Sequence, residues 1–431
     1  MKILVISQYW APEFGVPQRR WGWLTGLLRE QGHEVTVLAP PAHYLRNISV
    51  REWVKMGGLQ VKHEQEVGPQ NEEIVRTPFF PAGRSLTQRV LNQTMVAFGA
   101  IFTTIAHRKK FRGNVDLIIG TVPALPTAFA TRVISSILHT PYVIDLRDAW
   151  PDLLHEHKKW NLAVGEPSLR ERLLRYGPAQ ITIVTADIVM NSCLSGAKGI
   201  ISTSSLLLEK IQRTKRELQL RKDKPKGVVI RNVFSPATNF RKEYSSKVDG
   251  QKLRILYAGT VGRAQNLSNA LEALRILAND GVQIEMRIIG EGAAKHHLQD
   301  LAAEGELPVK FLGRVSPREL DEHYMWADTA LVHLTDWEPL KMAIPSKLYE
   351  LMEVGMHVSA VLDGEAAALV KELQAGFVVK PENPQLLADS WKSLSANPNQ
   401  IEVNRDGANW VREERVSVVP GVLEKFIQDI G

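Results

Sequence analysis

The sequence of 431 residues is 44% hydrophobic and 23% charged, with 30 glycines and 23 prolines. At about 100–200 residues per domain it predicts two or three domains with full cores, and its composition excludes disordered, collagen-like and coiled-coil classes. The net charge of +6 is uneven, because residues 1–225 carry 30 Lys and Arg against 19 Asp and Glu while the remainder carries a net −5. A basic half suits an anionic partner (nucleic acid, phospholipid or a phosphorylated substrate), or is an ordinary solvated surface.

The opening MKILVISQYWAPEFG holds an apolar run over Lys2 to Gln8 and no small-residue cleavage site, so no signal peptide is expected. The single cysteine, Cys193, rules out a disulfide framework or thiolate metal cluster and fits a reducing compartment. A cytoplasmic protein is expected. A helix is predicted from about Gln18 to Gln31, with Gly32 where a helix C-terminal glycine belongs. Strands follow at Glu34 to Leu38, Asp116 to Ile119, Tyr142 to Asp145, Gly199 to Ser202 and Val228 to Ile230. Strands alternating with helices imply a parallel sheet.

Residues 84–112 stand out. Met95 to Ala106 is apolar, bracketed by Arg84 and Arg89 before and by His107, Arg108, Lys109, Lys110 and Arg112 after. An apolar run of about 12 is shorter than the roughly 20 residues needed to span a bilayer. The segment reads either as a buried helix with a basic end, or as an interfacial helix attracted to an anionic membrane surface.

The pattern restarts after Arg221 to Gly227 with LRILYA (Leu253 to Ala258), a helix from about Leu267 to Ala278, and strands at Ile284 to Ile289, Val309 to Leu312, Thr329 to Leu334, His357 to Val361 and Gly376 to Val379. The expected organisation is a first Rossmann-like domain over 1–225 and a second over 226–403. A C-terminal helix at about 404–431 is expected to belong to the first.

Candidate chemistry clusters where loops follow strands. In AIPSKLYELMEVG (Ala343 to Gly355), Pro345 suits a first helical turn, with Ser346 beside it. The free N–H groups of such a helix start favour an anion, Lys347 adds a charge suited to a diphosphate, and Glu350 is placed to accept from ribose hydroxyls. In YAGTVGRAQNL, Gly259 and Gly262 allow close backbone approach and Arg263 offers a fork for phosphate oxygens. Gly290-Glu291-Gly292 resembles the start of a dinucleotide fingerprint, but the third glycine is missing and the next strand ends in Gly313-Arg314, so a nicotinamide cofactor is not expected. In the first domain Gly15 lies in a turn followed by Arg19 and Arg20, and Arg147 and Asp148 follow the strand ending near Asp145. The latter two are ligand candidates, or members of a structural ion-pair network. His155/His157 and His296/His297 lack a third partner at metal-ligand spacing, no Gly-x-Ser-x-Gly elbow occurs, and no nucleic-acid recognition element is visible.

These motifs together resemble the retaining, nucleotide-sugar-dependent glycosyltransferases of family 4, of the branch that builds lipopolysaccharide, capsule and exopolysaccharide. The likeness runs over KILVISQYWAPEFG, GHEVTVLAPPAHY, VIDLRDAWPD, LYAGTVGRAQNL, IIGEG, VKFLGRVS and AIPSKLYELMEVG. It implies a GT-B fold, with two Rossmann-like domains whose parallel sheets face an interdomain cleft and a C-terminal helix returning to the N-terminal domain. It implies a donor site of Gly15, Gly259, Gly262, Arg263, Gly290, Glu291, Gly292, Pro345, Ser346, Lys347, Leu348 and Glu350, with Arg263 and Lys347 on the diphosphate. It also implies an acceptor side of Arg19, Arg147 and Asp148, with Asp148 joining Arg263 and Lys347 as catalytic candidates. Transfer would retain anomeric configuration, need no cofactor and no obligatory metal, and end on a lipid-linked or cell-surface glycan, with the protein peripheral on the inner face of the plasma membrane. Two departures are visible. The first acid of the family's Glu-x7-Glu motif falls at Met342, with Glu338 four residues earlier, and Gln265 stands where a second lysine is common. A nucleotide-sugar epimerase or hydrolase on the same fold, and a non-catalytic binding homologue, are the competing readings.

Overall fold

A computed structural model describes all residues except 14, 44–47, 56, 60–64, 82–85, 123–124, 157–177, 218–224 and 244–251. Phe14, Arg84, His157 and residues 221–224, all used above, lie outside the described residues. The first sheet is built from β1 (Lys2–Ile6), β2 (Glu34–Ala39), β3 (Gln65–Val67), β4 (Glu73–Arg76), β5 (Leu117–Val122), β6 (Tyr142–Leu146), β7 (Gly199–Ser202) and β8 (Lys226–Val229). Its order is β3-β4-β2-β1-β5-β6-β7-β8, parallel throughout except for β3 against β4. β1, β5 and β6 are almost wholly apolar and buried on both faces, as a parallel sheet covered by helices requires.

The second sheet holds β9 (Leu253–Ala258), β10 (Ile284–Ile289), β11 (Val309–Leu312), β12 (Thr329–His333), β13 (His357–Val361) and β14 (Gly376–Val379). Its order is β11-β10-β9-β12-β13-β14, all parallel. In order of appearance that is 3-2-1-4-5-6, the doubly wound arrangement in which ligands bind beyond the strand ends where the order reverses. Here the reversal lies between β9 and β12. Leu271, Leu274, Met286, Ile288 and Trp391 are among the residues of the core on which this sheet's helices pack.

The chain divides into two units. The first comprises Met1–Pro151, Ile181–Phe234 and Val418–Gly431, and the second is built on Ser235–Ser417. The division differs from the sequence expectation at two places. Residues 226–229 extend the first sheet, as the strand read at Val228 to Ile230 in the first series suggested and against the domain boundary set at 225, because Lys226 N–H donates to Lys198 O and the strand fills the open edge of β7. At the C-terminus only the helix Val419–Ile430 joins the first unit, with Phe426 and Ile430 against Gly199 and Gln31 Nε2 donating to Pro420 O. The preceding helix Asp406–Glu413 stays with the second, where Trp410 stacks on Tyr349 and Gly407 lies against Met352. The second unit also takes the short helix Asp152–His155. The strands β3 and β4 were not anticipated; Gln65–Val67 carries one apolar residue, so no alternation marks it.

The first helix runs over Val16–Glu30, starting earlier than the pattern suggested because Pro17 is accommodated in its first turn. Gly32, at φ +83°, ends it as expected. Residues Leu86–Ala106 form one helix that satisfies neither sequence reading alone. Val96, Ala97, Ala100 and Ile101 are buried, whereas Val90, Leu91, Phe98, Phe102 and Ile105 are exposed, Phe102 to 60%. No helix among the described residues is long and apolar enough to cross a membrane.

Candidate functional site

Arg263 opens a short 3-10 turn, Arg263–Gln265, just beyond the end of β9. Ahead of it Val261, fully buried, donates to Glu291 O at 3.0 Å and accepts from Ala294 N–H at 3.1 Å. Behind it Thr335, which follows β12, donates its N–H to Ala264 O at 2.9 Å. The Arg263 guanidinium itself makes no hydrogen bond or ion pair among the described residues, and its Nε is buried without a partner. A guanidinium has five donors and cannot lose its proton, so an Nε–H buried without a partner is costly unless a ligand completes it. The loop after β12 reaches the loop after β9, and the glycines after β10 reach it from the other side.

Gly290 and Gly292 have a defined local reason. A Cβ on Gly290, at φ +144°, would stand 1.8 Å from Gly259 O, and one on Gly292 would stand 2.0 Å from Val261 O. Both are glycine because two loop backbones cross there. Gly259 and Gly262 meet no such backbone: the nearest atoms to their Cβ positions are Tyr257 Oη at 3.3 Å and Gln265 Oε1 at 2.8 Å. Glu291 projects outward and is paired with Lys295 Nζ at 2.7 Å.

The helix Ser346–Val354 begins after Pro345, which takes the capping position with no side chain bonded to the helix start. Its first N–H groups are therefore not spent on a cap. Leu348 is buried beneath this start, and the helix closes at Gly355 in the left-handed region, φ +76°. Lys347 Nζ lies 3.1 Å from Glu350 Oε1, one helical turn on. The fully buried Tyr324, from the helix Pro317–Trp326, donates its hydroxyl to the same Glu350 oxygen at 2.7 Å and accepts from Lys347 Nζ at 3.4 Å. Lys347 is thus not a free cation like Arg263; its charge is shared with Glu350. Met342 is buried, while Glu338 is exposed and pairs with Lys341 Nζ at 2.7 Å.

In the first unit Gly15 caps the helix Val16–Glu30 with extended backbone and no side-chain cap. Arg19 lies over the Phe234 ring at 4.6 Å. Among the acidic residues here the structural ion pair belongs to Asp145, which receives Arg20 Nη2 at 2.8 Å and Trp21 Nε1 at 2.7 Å, all three fully buried. Arg20 also donates to Ile230 O and Asn232 Oδ1. Arg147 is buried too, yet its Nε and Nη2 have no hydrogen-bond partner among the described residues. Asp148, the next residue, is exposed.

The structure therefore gathers Gly259, Gly262, Arg263, Gly290 and Gly292 on adjoining loops, with Lys347 and Glu350 on the helix that follows the neighbouring strand. Sequence inspection missed Tyr324, which holds Glu350, and Thr335 and Glu382, which hold the Arg263 turn (Glu382 accepts from Asn266 Nδ2 and Thr335 Oγ1), because they come from distant segments with no local motif. Among the described residues no group of three His, Cys, Asp or Glu side chains is placed to hold a metal ion.

Residues 239–408 match the family model described as glycosyl transferases group 1. The matched residues all fall within the second unit. Over its whole length the chain is 25% identical to a protein of Escherichia coli K12 named "Putative colanic acid biosynthesis glycosyl transferase WcaI", covering 100% of both. Among solved structures it is similar to the sucrose-phosphate synthase of Thermosynechococcus elongatus, with a TM-score of 0.67 at 14% identity over 100% of this chain and 98% of that one. It is also similar to Anabaena HepE in complex with UDP-glucose, with a TM-score of 0.61 at 14% identity over 99% and 100%. The fold is GT-B, as the resemblance implied.

Proposed function

We propose that this protein is a retaining glycosyltransferase that moves a hexosyl or N-acetylhexosaminyl group from a nucleotide-diphosphate sugar to a lipid-linked or cell-surface glycan. The observation that carries the reading is the unmatched Arg263 guanidinium at the strand-order reversal of a group 1 domain, beside a helix start that no side chain caps. As the bond to the sugar breaks, negative charge develops on the leaving diphosphate. Arg263, Lys347 and the N–H groups at Ser346 and Lys347 would meet it, and donors fixed in advance stabilise developing charge without having to reorganise as it forms. Glu350, held by Tyr324, would receive the ribose hydroxyls. Gly15 in the first unit would approach the donor phosphates, while Arg19, Arg147 and Asp148 would serve the acceptor side, with Asp148 the candidate for handling a proton. No cofactor and no obligatory metal enters. UDP-glucose bound by HepE makes a UDP-sugar the first donor to try.

The protein would work at the inner face of the plasma membrane. Support comes from the exposed stripe of Val90, Leu91, Phe98, Phe102 and Ile105, followed by Arg108, Lys109 and Arg112, which form no ion pair among the described residues. Such a face suits the interfacial zone of an anionic bilayer.

The test is transfer and binding across a panel of nucleotide sugars, with and without a polyprenyl-diphosphate-linked sugar acceptor. One donor should be consumed only with acceptor, and an Arg263→Ala, Lys347→Ala double variant should lose transfer. Wild-type transfer by that variant would remove the assigned roles. Turnover without acceptor would favour the epimerase or hydrolase reading, and tight binding with no turnover the non-catalytic one. Co-sedimentation with phosphatidylglycerol vesicles at low salt, abolished by Phe98→Asp with Phe102→Asp, tests the membrane face.

A further inference from the structure

The turn that presents Arg263 is clamped by a carboxylate from the far end of the domain. Glu382 follows β14 and accepts from Asn266 Nδ2 through both oxygens, at 3.1 and 3.0 Å. Its Oε1 also accepts from Thr335 Oγ1 at 2.5 Å, and the Thr335 backbone N–H is the donor to Ala264 O. Ala264 and Asn266, on either side of Gln265, are thus tied to one acid–hydroxyl pair. Both Asn266 (φ +34°) and Glu382 (φ +58°) sit in the left-handed region. Non-glycine residues stay there only where surrounding contacts over-determine them. With Val261 anchored to Glu291 and Ala294, the segment is fixed on both sides of Arg263.

A carboxylate bonded to a residue three places from the free guanidinium works against anion binding by simple Coulomb repulsion. Its three hydrogen bonds to Asn266 and Thr335 offer a role that outweighs that repulsion. We propose that Glu382 is a positioning residue for the diphosphate: it touches no substrate, and it sets the pose of the Arg263 turn through Asn266 and Thr335. This rests on the reading of Arg263 as a diphosphate ligand.

Titration calorimetry with UDP, GDP and inorganic pyrophosphate on the full chain tests it, with folding checked by scanning calorimetry. In the native background Glu382→Ala should raise the Kd of the bound probe about tenfold, a loss of about 1.4 kcal/mol. Glu382→Gln keeps an oxygen for Thr335 and Asn266 and removes the repelling charge, so it should bind the probe no more weakly than the native protein. In an Arg263→Ala background neither change should alter the Kd, because residues acting through one another are not additive. If Arg263→Ala alone leaves every Kd unchanged, or no probe binds the native protein, the diphosphate reading fails and the proposal with it. If Arg263→Ala weakens binding but Glu382→Ala acts equally in both backgrounds, or leaves or lowers the Kd, the positioning role alone falls. Should Glu382→Ala not fold, Thr335→Val removes only the 2.5 Å bond and carries the same cycle.

Discussion

The Tyr324 hydroxyl and the Lys347 ammonium converge on a single oxygen, Glu350 Oε1, at 2.7 and 3.1 Å. Three side chains of the proposed nucleotide-sugar site are thereby coupled: a buried ring from one helix orients the acid, and the acid orients the cation. Tyr324→Phe removes one hydrogen bond to a charged acceptor, a contribution of about 1.5–3 kcal/mol. We expect a loss of that size or smaller in urea unfolding. The donor KM should rise several-fold while kcat changes less, because the group lost positions ligand contacts and does not meet developing charge.

Gly290→Ala should be among the most destabilising single changes in the second unit. The new methyl would overlap Gly259 O, and a φ of +144° is open to glycine alone. The expected cost is about 3 kcal/mol or more. Gly262→Ala meets only the end of the Gln265 side chain and should cost less than about 1 kcal/mol. Equal unfolding midpoints for the two variants would contradict this account.

Acid should destabilise the second unit through two histidines. Burial lowers the pKa of His333 to about 4 and that of His357 to about 4. Each is therefore neutral when folded, while an unfolded histidine takes up a proton near pH 6.5. The proton favours the unfolded chain, so this stability is complete above about pH 6.5 and declines as the pH falls from there towards 4, with about 2 kcal/mol lost per histidine by pH 5. A His333→Gln, His357→Gln variant should lose less stability between pH 7 and pH 5 than the native protein. An identical loss in both would contradict it.

Cys193 should be chemically quiet. It is buried, and that burial pushes its thiol up to about 11, with Arg132 opposing. A disulfide reagent at pH 8 should leave the native protein untouched and react once with the unfolded chain, since the thiolate is the reactive form. Rapid labelling of the native protein would show that the helix carrying it opens readily.

Much of this protein is local in sequence. The strands Leu253–Ala258 and Ile284–Ile289 read directly from unbroken apolar runs, because a strand buried on both faces must be apolar throughout. The glycine turns and the Lys347 helix were legible for a similar reason: tight backbone turns and helix starts depend on the identity of a few consecutive residues. Tertiary structure alone decided that Glu382 and Thr335 hold the Arg263 turn and that Tyr324 holds Glu350. These pairings join residues 26 to 116 positions apart. No periodicity or composition encodes them, since they arise only when separate strands bring their loops to one edge of a sheet.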